Sequence, residues 1–133
     1  MIVTHVEPNY CAQTWPRIEA YLAEACKFDD EYTLEQIKSF VCTGQWMLLI
    51  ATDSGKIHGA ATVNFLNMPN GRVAFITAIG GRLISSQNTY GQMIKIFKHF
   101  GATKVQGAAR ESIARLWSRY GFKERYRIVE ANI

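Results

Sequence analysis

The chain has 133 residues, 48% of them hydrophobic, 20% charged and 12% aromatic, with a formal net charge of +4. That length and apolar content fit one globular domain over 1–133 and exclude an intrinsically disordered chain. The longest uninterrupted apolar run, 46–51, is six residues, against the roughly 20 that a membrane helix needs, and no basic-then-apolar signal order opens the sequence.

In chain order, residues 2–6 read as a strand stopped by Glu7, Pro8 and Asn9. A first helix is expected over 12–27. Trp15, Ile18, Leu22 and Ala25 recur on one of its faces, and Pro16 is tolerated in its first turn. Asp29 and Asp30 break it. Thr33 with Gln36 forms a capping-box pattern, which opens a second helix that buries Leu34, Ile37 and Val41 and ends at Gly44.

Residues 46–52 are a continuous apolar strand, fit to be covered on both faces. A turn at 53–56 leads to a strand over 57–66, with Ile57, Gly59, Ala61, Val63 and Phe65 on one side. A second turn at 68–71 leads to a strand over 72–79, interrupted by Gly80 and Gly81. A third helix is expected over 86–100, with Tyr90, Met93, Ile94, Phe97 and Phe100 inward and Gly101 as its stop. A short strand at 104–108 follows. The fourth helix, 111–120, points Ile113, Leu116, Trp117 and Tyr120 inward and stops at Gly121, before a last strand over 123–129. The order β-α-α-β-β-β-α-β-α-β predicts an α/β fold: one mixed sheet with helices on both faces, and a right-handed β-α-β crossover.

Charge is unevenly placed. Residues 1–66 carry four Lys/Arg and eight Asp/Glu, and residues 67–133 carry eleven and three, balances of −4 and +8. No carboxylate side chain occurs over 54–110. A basic half suits an anionic partner (cofactor phosphates, nucleic acid or an acidic protein surface) or is simply a solvated basic face. Nucleic acid is the weakest of these, because no long Lys/Arg run or recognition motif is present. Cys11, Cys26 and Cys42 lack metal-ligand spacing, so reduced thiols in a cytoplasmic protein and no metal site are expected. No Gly-x-Ser-x-Gly motif occurs.

The element order, with Leu116-Trp117-x-x-x-Gly121-Phe122 near its end, resembles the GNAT acyltransferase superfamily. The resemblance implies a GNAT-like single domain and an acetyl-CoA site. The diphosphate would lie on the loop after the fourth strand, where Ile79, Gly80, Gly81, Arg82, Ser85, Ser86 and Gln87 fall, with Arg110 at the family's cofactor-contacting Asn position. The loop departs from the family's R/Q-x-x-G-x-G/A pattern: Gln87 and Gly91 are one residue too far apart, and Met93 stands where a small residue is usual. Trp117 stands at the position of the family's general-acid Tyr, with Tyr120 three residues on. An indole N–H donates a hydrogen bond but is no acid near neutral pH. The family's strand carboxylate is missing, which leaves His58 as the imidazole of the sheet meander and a candidate base.

A second resemblance is to small GNAT-like proteins of tailed bacteriophages, of the internal virion protein type. It rests on Trp15-Pro16, Glu31-Tyr32-Thr33-Leu34, Gly80-Gly81 and the terminal Arg-rich helix.

Two functions follow as expectations. The first is a GNAT-fold protein with degenerate catalytic motifs and no required cofactor, binding virion or host proteins in the host cytoplasm or the particle. Self-association through the C-terminal strand is part of that expectation. The alternative is an active acetyl-CoA-dependent N-acetyltransferase driven by proximity. In that case Arg82 and Lys95 would face the cofactor phosphates, and the acidic N-terminal half would face a cationic amine.

Overall fold

The computed structural model describes residues 1–28 and 30–133. Its sheet has five strands in the order β1 (Ile2–Val6), β2 (Met47–Asp53), β3 (Lys56–Met68), β4 (Gly71–Gly81) and β5 (Lys104–Gly107). The first four pair antiparallel in sequence order, and β4 pairs β5 in parallel. The β2–β3 turn is tight, with φ of 51° at Ser54 and 80° at Gly55, the double positive φ that matches the twist of a two-residue hairpin.

Among the described residues, five α-helices cover the sheet: α1 (Pro8–Thr14), α2 (Glu19–Cys26), α3 (Leu34–Cys42), α4 (Gln87–His99) and α5 (Glu111–Trp117). One face carries α1 to α3, whose Cys11, Leu22, Ile37 and Val41 pack with Leu48, Ala60 and Ala78. The other carries α4 and α5, whose Met93, Phe97 and Trp117 pack with Leu49, Val63 and Ile76. The β2 strand thus gives Leu48 to one layer and Met47, Leu49 and Ala51 to the other, as expected of an apolar strand buried on both faces. The Thr33 capping box forms in full: Gln36 Oε1 accepts from the Thr33 N–H, and Thr33 Oγ1 from the Gln36 N–H.

The structure corrects the expected elements at several points. The helix expected over 12–27 is broken into α1, a 3-10 turn at Trp15–Arg17, and α2. Pro8 begins α1 rather than ending the preceding strand, since its missing N–H costs nothing in the first helical turn. Pro16 has no N–H to give and lies in the 3-10 turn. Gly80 and Gly81 do not interrupt β4: they pair with Ala60 and Gly59 and belong to it. The single-sided alternation expected over 57–66 fails because His58 is an extra residue opposite the β2 register. That bulge moves Ile57 to the α1–α3 layer while Ala61 and Val63 stay in the other.

The fourth helix ends at Trp117 and continues as a 3-10 turn, Ser118–Tyr120. Leu116 faces outward, 38% exposed. The strand expected over 123–129 is absent, and residues 122–133 have no regular structure. Lys123, Glu124, Arg125 and Arg127 crowd that segment with charge, and Tyr126, Ile128 and Val129 are 67%, 79% and 89% exposed, so it buries too little to order a strand. Among the described residues no helix is long and apolar enough to cross a membrane.

Candidate functional site

Strands β4 and β5 are hydrogen-bonded from Val73/Lys104 to Ile76/Gly107 and no further. β5 ends there, but β4 runs on to Gly81. A second bulge lies at this parting: Thr62 opposes Ala78 and Val63 opposes Ile76, so Thr77 is the extra residue. A bulge bends its strand. Here it also exchanges faces, putting Ala74 and Ile76 in the α4–α5 layer and Ala78 in the other. The Thr77 hydroxyl lies 2.7 Å from that of buried Thr62, which satisfies both. Beyond Ile76, the edge of β4 that faced β5 has no strand partner.

The parting opens a cavity of about 490 Å³ that runs between the two layers, within the range of small-molecule sites. Ile76, Thr77, Ala78 and Ile79 form its β4 wall, and Ala108, Ala109, Arg110, Ile113 and Trp117 the wall after β5. Glu24, Ala25 and Phe28 close it from α2 and the residues just after. Two glycines shape it. A Cβ on Gly107 would lie 2.8 Å from the Trp117 ring, so the indole can come this close to β5 only because that position is bare. A Cβ on Gly80 would lie 2.0 Å from the Tyr21 carbonyl oxygen, so α2 crosses β4 in main-chain contact.

Of the residues singled out from the sequence, Ile79, Arg110 and Trp117 line this cavity. Arg110 stacks its guanidinium 3.6 Å from the centre of the Phe28 ring, closing one side of the mouth. Trp117 is 5% exposed and packs against Phe122. Tyr120 is not in the cavity; it stacks on Tyr90, whose hydroxyl burial pushes to a raised pKa.

Gly80 and Gly81 carry β4 past the cavity, and Gly81 (φ 71°) starts the turn to α4. Arg82, Ser85, Ser86 and Gln87 form that turn and the start of α4, outside the cavity lining. Three of the amides there are committed internally: Arg82 N–H donates to the His58 carbonyl, Ser85 N–H to Thr89 Oγ1, and Thr89 N–H to the capping Ser86 Oγ. Lys95 sits eight residues into α4, about 12 Å along the helix from its start, and is not gathered with Arg82. His58 lies on β3, outside the cavity, with its carbonyl held by Arg82.

The sequence reading missed Glu24, Phe28 and Thr77. The GNAT resemblance implies a carboxylate on a strand, whereas Glu24 and Ala25 reach the cavity from α2 and Phe28 from just beyond its end. Thr77 could have been noticed as a polar residue in an apolar strand with Thr62 as its mate. Cys11 is buried, and Cys42 is half-buried. Burial, with a smaller push from Cys42, raises the Cys11 thiol to about 11, so it is not a nucleophile near neutral pH. No metal-binding cluster occurs among the described residues.

No family model matches the sequence, and no curated protein matches it. Solved structures do match its fold. A probable acetyltransferase superposes with a TM-score of 0.70 at 10% identity, covering 100% of this chain and 97% of its own. An aminoglycoside acetyltransferase from an uncultured soil metagenomic sample, in complex with sisomicin, gives 0.69 at 14% identity, with coverage of 99% and 95%. A predicted acetyltransferase from Clostridium acetobutylicum, with acetyl-CoA, gives 0.66 at 14% identity, with coverage of 98% and 95%. Identities this low carry the fold alone. The fold is that of the GNAT-type acetyltransferases, a mixed five-stranded α/β sheet with helices on both faces.

Proposed function

We propose that the cleft between β4 and β5 binds an acyl-CoA thioester and that the protein is an N-acyltransferase acting by orientation rather than by side-chain acid–base catalysis. The observation that carries this reading is the parting of β4 from β5 after Ile76 and Gly107, which leaves an unpaired main-chain edge along an apolar cavity. Such an edge pairs with an extended ligand arm that carries amides, as a sheet edge pairs with a strand. Ile76, Ile79, Ile113 and Trp117 give it apolar walls. Arg110 at the mouth suits a phosphate, which a guanidinium can bind with two hydrogen bonds. The bound group would supply the activated acyl carbon. The chain's own contribution is to hold it beside an amine, and well-oriented reactants gain several kcal/mol from proximity alone, about 7–11 at best.

Calorimetric titration of acetyl-CoA into the protein tests this. Binding tighter than about 100 μM, about −5.5 kcal/mol, is expected, and Arg110→Ala should weaken it about tenfold through loss of a charge-assisted hydrogen bond. No heat up to millimolar acetyl-CoA would overturn the reading.

A second reading keeps the fold without the chemistry: a degenerate GNAT-fold protein that binds protein partners, of the phage virion or host, in the host cytoplasm or the particle. It is favoured by the buried Trp117 at the general-acid position and by the committed amides of the 82–89 turn. The outer edge of β5, which ends the sheet, offers a partner or a second copy a strand to pair with. Under this reading the protein requires no cofactor and the acetyl-CoA titration is silent.

A further inference from the structure

Strand β3 outruns β2. β2 begins at Met47, opposite Val63, so Asn64–Met68 has β4 on one side and, among the described residues, no strand on the other. The chain leaves the line of β2 at Trp46, whose N–H donates to the Phe40 carbonyl. Alternate residues of the overhang turn their N–H and C=O groups to the vacant side. The overhang offers about 17 Å of edge and holds neither a charge nor a proline, the usual guards of a free edge. The free edge of β1 does have a guard: Gln92 Oε1 accepts from the Val3 N–H and Gln92 Nε2 donates to the Met1 carbonyl, each at 2.9 Å.

The two faces of the overhang differ. Phe65 turns to the α4 layer, its ring centre 6.1 Å from that of Phe97 and 6.0 Å from that of Phe100. Leu66 and Met68 face the other way and are 36% and 56% exposed. Cations stand on the α4 side. The Arg72 guanidinium lies 4.7 Å from the centre of the Phe65 ring, and donates from Nε to the Phe100 carbonyl and from Nη1 to Asn67 Oδ1. Two of its five N–H groups are used in this way, so it is held in place with donors left for an anion. The His5 and His99 rings meet Phe100 edge-on at 5.4 and 5.3 Å. The stretches 43–46, 64–72 and 98–104 that meet here contain no Asp or Glu; the acid nearest in sequence is Glu7, two residues past His5.

We propose that Asn64–Met68 is a docking edge for an extended acidic segment of a protein partner. The segment adds as a strand in line with β2, sets carboxylates toward Arg72 on the α4 side, and lays apolar side chains beside Leu66 and Met68. Charge selects this occupant. A second copy pairing through the same edge would bring two Arg72 guanidiniums together, and the C-terminal segment of a second copy carries Lys123, Arg125 and Arg127 against Glu124 and Glu130. The edge lies at the Gly71 end of β4, whereas the parting from β5 begins beyond Ile76, so the inference is independent of what the cleft binds.

The test is titration of a blocked heptapeptide of alternating glutamate and valine into the full-length protein, followed by calorimetry and amide chemical shifts. Saturable binding is expected, with the largest shifts over Asn64–Met68. Raising the ionic strength from about 0.01 M to about 0.1 M should weaken it severalfold. A lysine–valine peptide of the same length, and the glutamate–valine peptide fully N-methylated so that it has no N–H to give, should not bind. Arg72→Gln should weaken the peptide about tenfold, the typical worth of a hydrogen bond to a charged group. Met68→Glu, at an exposed position by the hairpin end, should weaken it about fivefold through like charge and keeps the test open if Arg72→Gln does not fold. Both variants should titrate with acetyl-CoA as the native chain does.

The inference is overturned if the peptide does not saturate by millimolar concentration, if the lysine–valine or N-methylated peptide binds equally well, if the shifts fall on the β1 or β5 edge instead, or if either folded variant binds as the native chain does. An oligothymidylate of equal length that binds this edge more tightly than the peptide would make it a nucleic-acid surface and overturn the inference as well.

Discussion

Replacing Gly80 and Gly91 separately by alanine should move stability in opposite directions. A Cβ on Gly80 would sit 2.0 Å from the Tyr21 carbonyl oxygen and 2.7 Å from its carbonyl carbon. Real contacts of this kind stay beyond about 3 Å, so α2 would have to retreat by roughly 1 Å as a unit, because the obstructing atoms are main chain. Overpacking costs of 1–3 kcal/mol are usual, and a main-chain clash belongs at the top, about 3 kcal/mol. With an unfolding entropy of about 2.1 cal/mol/K per residue, a chain of this length loses about 10 °C in Tm. Gly91 lies within α4 and a Cβ there meets nothing within 4 Å. Alanine removes the helix cost of glycine, about 1 kcal/mol, and should raise Tm by about 3 °C. Thermal unfolding followed by circular dichroism, with reversibility checked, measures both. A Gly80→Ala variant within 2 °C of the native Tm, or a destabilised Gly91→Ala variant, would refute the reasoning about how α2 is seated on β4.

Trp117→Ala should cost about 3–5 kcal/mol in urea unfolding, because it empties the space over Gly107 and beside Phe122 in a well-packed layer; a loss under 1 kcal/mol would mean the indole is not a packing element. Cys11 carries its proton to about pH 11 in the fold against 9.0 as the ordinary value. The unfolded chain thus gives up that proton first, and this contribution costs nothing below pH 9 and lowers stability as pH rises from 9 toward 11. Cys11→Ala should flatten that part of the stability–pH curve, and alkylation of native Cys11 at pH 8 should be slow. Ending the chain after Lys123 removes the exposed Tyr126, Ile128, Val129 and Ile133 and should move the Tm of the monomer by no more than about 2 °C. If the tail pairs with a second copy, sedimentation velocity of the full chain at rising concentration shows a dimer that the shortened chain lacks.

The fold was legible wherever one local rule acted alone. The capping box at Thr33, the hairpin turn at Ser54 and Gly55, and the glycine stops at Gly44, Gly101 and Gly121 were each carried by a few adjacent residues. What escaped was set by partners distant in sequence. His58 and Thr77 are bulges only with respect to β2 and β3, and each exchanges the faces of its strand. Gly80 reads as a strand breaker until the Tyr21 main chain is seen to need its bare Cα. The segment 123–129 has the alternation of a strand but no surface to bury.

The site was legible in part for the same reason. Ile79, Arg110 and Trp117, which line the cavity, came from the GNAT resemblance, through the loop after the fourth strand and the Gly121-Phe122 ending. Glu24 reaches the cavity through the close crossing of α2 over β4, which no local pattern records.

The central claim, that the gap between β4 and β5 is the ligand site, is most directly tested by titrating acetyl-CoA into isotope-labelled protein and mapping the amide shifts. The account predicts that the largest changes cluster at Thr77, Ala78, Ile79, Ala108, Ala109 and Arg110, the two walls of the parting. Saturating shifts confined to the exposed basic residues of α4, or no shifts at all, would contradict it.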